Sequence, residues 1–212
     1  MELVCIDYLT LVISKGGIGN VLVITDHYTK YAMAIPTWNQ TAKTTAEVLN
    51  NYFGIPTRLH SDQGALFESE IIKDMCALTG MRKSRTSIYH PEGNAGPERF
   101  NRTLLNMLGT LENSQKLDWK RYVNHLVYCY NCTPHESTRV SPFELMFGRK
   151  PKLPVDSMFE RAVEKTASKT TREYIEDLKA RMTKTREIVE EHTTKRKGNR
   201  RRIMMLEQSQ QR

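Results

Sequence analysis

The sequence has 212 residues, of which 39% are hydrophobic and 26% are charged. This is enough to bury one full core and to carry an appendage, so we expect one domain with a tail. No uninterrupted apolar segment approaches the roughly 18 residues that a membrane helix requires, and no basic region followed by a hydrophobic run opens the chain. We therefore expect a soluble, intracellular protein with no membrane partner.

The first third of the chain predicts a set of antiparallel strands. Leu3–Leu9 is an apolar run, and the turn-rich segment Ser14–Gly19 follows it. Asn20–Asp26 and Tyr31–Pro36 are rich in β-branched and apolar residues, and the four residues between them suit a hairpin. These three runs predict three antiparallel strands at the start of the fold.

The next segment predicts helices that alternate with short strands. Thr41–Phe53 and Glu68–Thr79 carry apolar residues at helical spacing, and a glycine follows each of them. Thr57–Ser61 and Met81–Arg85 are short strand-like runs, which brings the predicted strands to five. The positions predicted to face the core are Ala42, Ala46, Leu49 and Phe53 in the first helix and Ile71, Ile72, Met75 and Leu78 in the second.

Helices dominate the remainder of the core. Pro97 suits the first turn of a helix, and Asp118–Tyr130 predicts a second long amphipathic helix. Ser141–Glu144 is typical of a capping box that begins a short third helix. This order of strands, alternating elements and helices predicts an α/β protein. The apolar positions of the helix that Pro97 opens are Phe100, Leu104, Met107, Leu108 and Leu111.

The composition changes from about Phe159. The last 54 residues hold 15 Lys and Arg against 9 Asp and Glu, a net charge of +6, whereas the first 158 hold 17 against 15, a net charge of +2. Thr171–Glu191 has a moderate helical stripe, formed by Tyr174, Ile175, Leu178 and Met182. We divide the chain into a core, residues 1–155, and a basic tail, residues 156–212, that is helical or partly disordered.

A basic cluster lies near the end of this tail. Such clusters bind phosphate backbones through counterion release or serve as nuclear-import signals. The alternative is a solvated, disordered end of the chain. The cluster consists of Lys195, Arg196, Lys197, Arg200, Arg201 and Arg202.

Three acidic residues are candidates for a metal site. Asp7 lies in the first apolar strand, where a carboxylate is costly unless it is paired or bound to metal. Asp62 ends a predicted strand, and Glu98 follows a glycine-bearing loop that can bring it back beside Asp62. Two Mg²⁺ or Mn²⁺ ions roughly 3.5–4 Å apart, held by such oxygens, clamp both reacting oxygens of a phosphodiester. For any single acid, the alternative is a strand-end residue satisfied by backbone amides.

The cysteines lie in strand or helix patterns rather than in a spaced framework, so we expect free thiols in a reducing compartment. Four His and Cys residues have spacings that resemble a zinc site. All but the last of them fall on one amphipathic helical pattern, so core packing is the simpler account. The cysteines are Cys5, Cys76, Cys129 and Cys132, and the zinc candidates are His125, Cys129, Cys132 and His135.

Several short motifs are similar to those of a known family. The segments His60–Gly64, Tyr89–Asn94 and Glu98–Asn101 resemble the catalytic core of integrases from retroviruses and gypsy-type LTR retrotransposons. The similarity runs from about Glu2 to about Pro154. It implies a ribonuclease H-like fold, with a mixed five-stranded sheet and flanking helices.

The resemblance also implies a chemistry and its partners. The family's metal ligands fall on Asp7, Asp62 and Glu98, which would hold two Mg²⁺ or Mn²⁺ ions. A metal-bound water then cleaves near a DNA 3′ end, and the freed 3′-OH attacks target DNA. The partners would be element ends and target DNA in the nucleus. A homodimer or higher oligomer is also implied, and the helix from Asp118 is one candidate surface.

Residues outside the carboxylate set are candidates for DNA binding. By resemblance, Tyr89 and Asn94 match positions that touch DNA ends, and Arg102 lies one helical turn past Glu98. Lys83 and Arg85 crowd the proposed site, although charge on an edge strand also protects it from pairing with other chains. The basic cluster of the tail completes this set.

A remnant that binds nucleic acid or self-associates without catalysis is the alternative function. In the family, a zinc module precedes the core and a β-rich DNA-binding domain follows it. We find neither pattern in this sequence, which favours the remnant, whereas the three retained carboxylates favour catalysis. Binding of a divalent metal to the purified chain distinguishes the two.

Overall fold

The computed structural model describes residues 1–86, 95–153 and 170–210. The chain divides into two compact units, Met1–Tyr130 and Asn131–Arg212. The predicted boundary between core and tail, at residue 155, lies outside the described ranges and stays a prediction. Among the described residues, every helix is too short or too polar to cross a bilayer.

The first unit is built on a mixed sheet of five strands, as predicted. The spatial order of the strands is β3-β2-β1-β4-β5. The pairs β1–β2 and β2–β3 are antiparallel, whereas β1–β4 and β4–β5 are parallel. The strands are β1 (Leu3–Thr10), β2 (Asn20–Asp26), β3 (Ala32–Thr37), β4 (Arg58–Ser61) and β5 (Arg82–Arg85).

Helices flank this sheet and form the second unit. The described α-helices are α1 (Ala42–Val48), α2 (Glu70–Thr79), α3 (Ala95–Gly109), α4 (Asn113–Lys116), α5 (Lys120–Cys132), α6 (Pro142–Phe147) and α7 (Thr171–Gln210). A π-helix, Leu49–Phe53, continues α1 directly. The short helix α4 was not predicted.

The predicted face of the first helix is wrong in part. Thr45 is buried, whereas Ala42 and Ala46 are only half-buried. The Thr45 hydroxyl is satisfied inside the fold, since it donates to the Thr41 carbonyl at 2.9 Å and lies 3.1 Å from the Tyr8 hydroxyl. A pattern of apolar residues alone misses such a threonine because its burial depends on these two partners.

The core face of α2 is also rotated from the prediction. Ile72 and Cys76 are buried, while Ile71 is 50% exposed and Leu78 is 88% exposed. Residues four apart lie on one face of a helix, and a shift of one position turns the face by about 100°. Gly80 ends the helix in the left-handed conformation, with φ of 71°, as its position after the helix predicted.

The main core lies on one face of the sheet. Helices α3 and α5 pack there against β2 and β3, which confirms Phe100, Leu104 and Leu108 as core positions. Trp119 Nε1 donates to the Val12 carbonyl at 2.7 Å and anchors the loop between β1 and β2. The buried members of this core are Val21, Val23, Ala32, Ala34, Phe100, Leu104, Leu108, Trp119, Val123 and Val127.

The second unit contains α6 and α7. The Ser141 hydroxyl accepts the Glu144 N–H at 3.2 Å and caps α6, so the predicted helix start is confirmed. Gly148 ends α6 at φ of 65° and approaches α7 closely, because a Cβ built there would lie 2.6 Å from Met182 Cγ and 2.9 Å from Leu178 Cδ1. Two residues of the predicted stripe therefore pack against the end of α6.

Candidate active site

Strand alternation brings the first two candidate carboxylates to one face of the sheet. In the parallel pair β1–β4, Cys5 lies opposite His60. Two residues further along each strand, the same register brings Asp7 beside Asp62. Asp7 also lies opposite Val23 of the core that α3 covers, so both carboxylates belong to the α3 side of the sheet.

Asp7 is half-buried, and both of its carboxylate oxygens accept hydrogen bonds. Oδ1 accepts the Tyr8 N–H at 2.8 Å, and Oδ2 accepts Asn101 Nδ2 at 2.8 Å. The pKa of Asp7 is raised to about 6, mainly by burial; the charges of Asp62 and Glu98 contribute to the rise, and the two hydrogen bonds oppose it. The three candidate carboxylates therefore act on one another electrostatically.

Asp62 is exposed in the turn that follows β4. Its Oδ1 accepts the Gly64 N–H at 2.9 Å, and its carbonyl oxygen accepts the Ser61 hydroxyl at 2.8 Å. A Cβ at Gly64 would lie 3.0 Å from Asp62 Oδ1 and 3.5 Å from Phe67 Cδ2. The glycine of this motif therefore leaves room for the carboxylate.

Glu98 lies in the first turn of α3 and is exposed, as its position off the apolar stripe predicted. Pro97 beside it is buried and Phe100 belongs to the core, which fixes the rotation of the helix. Asn101 follows Glu98 by three residues and therefore shares its helix face.

Asn101 is a further site residue. It belongs to the motif Glu98–Asn101, but the sequence alone predicted no role for it. Its amide nitrogen donates to Asp7, and its Oδ1 is buried with no hydrogen-bond partner among the described residues. Because the nitrogen must face the Asp7 carboxylate, the orientation of the amide is set by that contact. The spacing from Glu98 was the signal that could have identified it.

The donor chemistry of the three acids fits a hard divalent cation, since carboxylate oxygens are the ligands that Mg²⁺ and Mn²⁺ prefer. Within the ranges that the structure describes, however, no three side chains from His, Cys, Asp and Glu come close enough to form a metal-binding group. Asp7, Asp62 and Glu98 are thus electrostatic neighbours in this conformation but not a closed ligand set. The same finding gives no support to the zinc alternative at His125–His135.

The cations of β5 have different surroundings. Lys83 is largely buried, and its Nζ donates to the Ser61 hydroxyl at 2.7 Å and lies 3.5 Å from Glu68 Oε1. Burial lowers the pKa of Lys83, and Glu68 opposes this effect. Arg85 is more exposed, with Nη1 at 3.5 Å from Glu68 Oε2. These ion pairs favour a structural role for Lys83, and the role of both residues in DNA binding stays a prediction.

The remaining candidates are distributed as follows. Arg102 is exposed on α3, four residues after Glu98. Tyr89 and Asn94 lie outside the described residues. The basic cluster from Lys195 to Arg202 lies within α7, where the structure describes the backbone only.

All four cysteines are free thiols, as predicted. Cys5 and Cys76 are buried, and burial raises the pKa of the Cys5 thiol to about 11. Cys5 therefore remains protonated near neutral pH and behaves as a small core residue.

Comparison with known sequences identifies relatives of this chain. Residues 1–91 match the family model described as Integrase core domain. The Pro-Pol polyprotein of Feline foamy virus is 33% identical over 150 residues, which cover 70% of this chain and 13% of that protein. The Retrovirus-related Pol polyprotein from transposon 412 of Drosophila melanogaster is 27% identical over 194 residues, 88% of this chain and 16% of that protein. This chain thus spans less than a fifth of each of these two polyproteins.

Solved structures agree with this relationship at the level of the fold. The catalytic core domain of BIV integrase superposes with a TM-score of 0.52 at 20% identity, covering 68% of this chain and 92% of that one. A simian T-cell lymphotropic virus intasome, solved with the PP2A regulatory subunit B56 gamma, gives a TM-score of 0.56 at 18% identity over 72% of this chain and 56% of that one. The ribonuclease H-like fold is therefore confirmed, and residues 1–91 carry an integrase core domain whose relatives include Pol polyproteins of retroviruses and transposons.

Proposed function

We propose that this chain is the catalytic core of a retroelement integrase that cuts near DNA 3′ ends and joins them to target DNA with the help of divalent metal ions. The observation that supports this most is the electrostatic proximity of Asp7, Asp62 and Glu98, although they do not form a closed ligand set in this conformation. They come from a central strand, the end of its parallel neighbour and the first turn of α3, and their charges act on one another. Polynucleotidyl transfer requires such a set of oxygen donors on a rigid scaffold.

In this proposal Asp7, Asp62 and Glu98 hold two Mg²⁺ or Mn²⁺ ions. When bound, the ions lower the pKa of a water and stabilise charge on the reacting phosphodiester. The chain's own residues prepare the ligands. Asn101 holds one oxygen of Asp7, and the Gly64 N–H holds one oxygen of Asp62. Both contacts limit the rotation of the carboxylates before DNA arrives.

DNA and further copies of this chain are the proposed partners. One of the similar structures is an intasome, which supports the proposal that several copies of this chain assemble on DNA. We also propose that the protein works in the nucleus, where target DNA lies. Within this assembly Arg102 is placed to bind phosphate, because it is exposed on the helix that carries Glu98.

A second function is favoured by one observation. The three carboxylates are not within ligating distance of a common point, in contrast to a preassembled metal centre. A chain that binds nucleic acid or self-associates without chemistry would show this arrangement as well. The remnant hypothesis therefore remains the alternative, and the same assay tests both.

Joining of a labelled short duplex to supercoiled plasmid in Mn²⁺ measures the proposed activity directly. We expect labelled open circles from the wild-type chain and none from Glu98→Gln. Glu70→Gln is the matched control, because Glu70 is also an exposed glutamate in the first turn of a helix. Loss of activity in both variants would argue against a specific role for Glu98.

Binding of the labelled duplex is measured in parallel. If the wild-type chain binds DNA but yields no joined or nicked product in Mn²⁺ or Mg²⁺, the remnant hypothesis is correct and the proposed activity is wrong. If it neither binds nor joins DNA, the proposed activity is wrong, and so is the form of the remnant hypothesis in which the chain binds nucleic acid.

A further inference from the structure

Two arginines lie side by side on the sheet near the carboxylates. The parallel register of β4 and β5 sets Arg58 directly opposite Arg82. Alternation along β4 gives Arg58 and His60 the same face of the sheet as Asp62. Arg58 and Arg82 therefore lie on the carboxylate side of the sheet, on the two strands beyond those that α3 mainly covers.

The other two cations of β5 lie on the opposite side. Lys83 contacts Ser61, and both Lys83 and Arg85 lie 3.5 Å from the carboxylate oxygens of Glu68. Glu68 precedes α2, whose buried Cys76 lies close enough to act on the charge of Lys83. Lys83 and Arg85 therefore face α2, where the Glu68 carboxylate offsets their charge. Arg82, which pairs with the first residue of β4, faces the opposite side of the sheet.

The arginine pair is poorly compensated within the described part of the chain. Like charges directly across a strand pair destabilise a sheet. Arg58 Nη2 lies 3.9 Å from Glu2 Oε1, but the Glu2 side chain is 82% exposed, so this ion pair contributes little. Arg58 Nε is buried without a hydrogen-bond partner, and no carboxylate of the described residues lies within ion-pair distance of Arg82. A bound anion would relieve this repulsion.

We propose that Arg58 and Arg82 bind the phosphate backbone of the DNA that reacts at the carboxylates. This inference rests on the proposed function, and it assigns a DNA contact to residues outside the carboxylate set. A guanidinium presents a planar pair of donors that fits phosphate oxygens, which makes arginine well suited to such a contact.

The geometry of the strand gives the position of this contact along the DNA. Arg58 precedes Asp62 by four residues, or about 13 Å at about 3.3 Å per residue of a strand. Successive phosphates of a B-form strand rise by about 3.4 Å along the axis. The arginine pair therefore contacts a phosphate about four base pairs from the reacting one.

Substitution of one arginine, with an exposed arginine outside all candidate sites as the control, tests the contact. Arg82→Gln and Arg139→Gln each change an exposed arginine, the second in the loop between α5 and α6, and the stability of both variants is checked by thermal melting. We measure binding of the full chain to a short blunt duplex between about 50 and 200 mM salt. Arg82→Gln should weaken binding several-fold and reduce the slope of log affinity against log salt by about one, whereas Arg139→Gln should leave both near wild type.

A second measurement locates the contact. Single neutral methylphosphonate linkages are placed in turn along the duplex that is joined to plasmid. Near the fourth base pair from the reacting end, the neutral linkage should weaken wild-type binding more than Arg82→Gln binding, because the variant has already lost one of the two guanidinium groups of the contact.

The outcomes separate this inference from the proposed function. Equal effects of Arg82→Gln and Arg139→Gln, or a methylphosphonate effect as large in Arg82→Gln as in the wild type, overturn the inference while leaving the integrase activity intact. Absence of any duplex binding or joining by the wild-type chain overturns the proposed function and this inference together.

Discussion

Asp7 lies between Cys5 and Leu9 on the face of β1 that turns toward α3, and its surroundings are the clearest sign of a functional site. Its apolar neighbours in the sequence already indicated that a carboxylate there is costly. Its contact with Asn101 could not be predicted, because the two residues are 94 positions apart and the contact depends on the rotation of α3. The spacing from Glu98 indicates only that Asn101 shares the helix face of that acid. Sequence patterns therefore identified the acids but not the side chain that orients one of them.

The raised pKa of Asp7 makes the stability of the folded protein depend on pH. Its folded pKa of about 6 lies above the ordinary value of 3.8, so the folded protein binds this proton more tightly than the unfolded chain does. The resulting stabilisation is full below about pH 4 and is lost as the pH rises through about 6. The ionised Asp7 thus destabilises the metal-free protein at neutral pH.

Asp7→Asn should therefore raise the melting temperature at neutral pH in EDTA and lose this advantage near pH 4. We expect a gain of about 1 to 2 kcal/mol, less than the full shift implies because solvent screens a half-buried group. Asp74→Asn, which changes an exposed acid on α2, is the control and should have little effect at either pH. A gain from Asp7→Asn that is independent of pH would contradict this account.

At the scale of the element, the helices differ from the predictions mainly in rotation. The extent of α2 was predicted to within two residues, and its glycine stop was correct. Its core face was predicted only in part: Ile72 is buried as expected, but Leu78 is exposed and Cys76 takes a core position, because cysteine counts little in an apolar pattern while leucine counts heavily. The burial of Thr45 in α1 was missed for a similar reason, since a hydrogen bond to the carbonyl of Thr41, the N-cap of its own helix, and a contact with the Tyr8 hydroxyl of β1 make a polar core position possible.

The rotation of α2 is tested by two matched truncations. Ile72→Ala should destabilise the protein by about 2 to 4 kcal/mol, because it empties a fully buried site, whereas Leu78→Ala should change stability by less than about 0.5 kcal/mol. Urea denaturation of both variants measures the difference. A larger loss for Leu78→Ala would mean that this face of α2 is covered in solution.

At the scale of the whole molecule, the tail is predicted to supply most nonspecific DNA affinity. Residues 159–212 carry a net charge of +6, and their removal takes away most of the chain's positive excess. The truncated chain should bind duplex DNA more weakly and with a flatter salt dependence. Equal affinity of the full and truncated chains at every salt concentration would show that the core alone carries the interaction.

The first three strands of the first unit were predictable because they are apolar runs bounded by turns, whereas β4 and β5 are short and largely polar. The π-helix and α4 were not predictable, because short or irregular turns have no distinct apolar period. Strand order also needed the resemblance to integrases, since periodicity alone gave the α/β class. The division of the β5 cations between the two faces of the sheet could not be predicted, because it follows from the register of β5 with β4, which sequence patterns do not reveal.

The central claim is that Asp7, Asp62 and Glu98 together hold divalent metal ions, and thermal melting with and without Mn²⁺ tests it most directly. Metal that binds only the folded protein should stabilise the wild-type chain by about 2.7 kcal/mol at a concentration a hundredfold above its Kd. Asp62→Asn should abolish this gain, and without metal it should melt at or above the wild-type temperature because repulsion among the carboxylates is reduced. Asp74→Asn should respond to Mn²⁺ as the wild type does. A Mn²⁺-induced rise in melting temperature that persists in Asp62→Asn, or no rise in the wild type, would contradict the metal site.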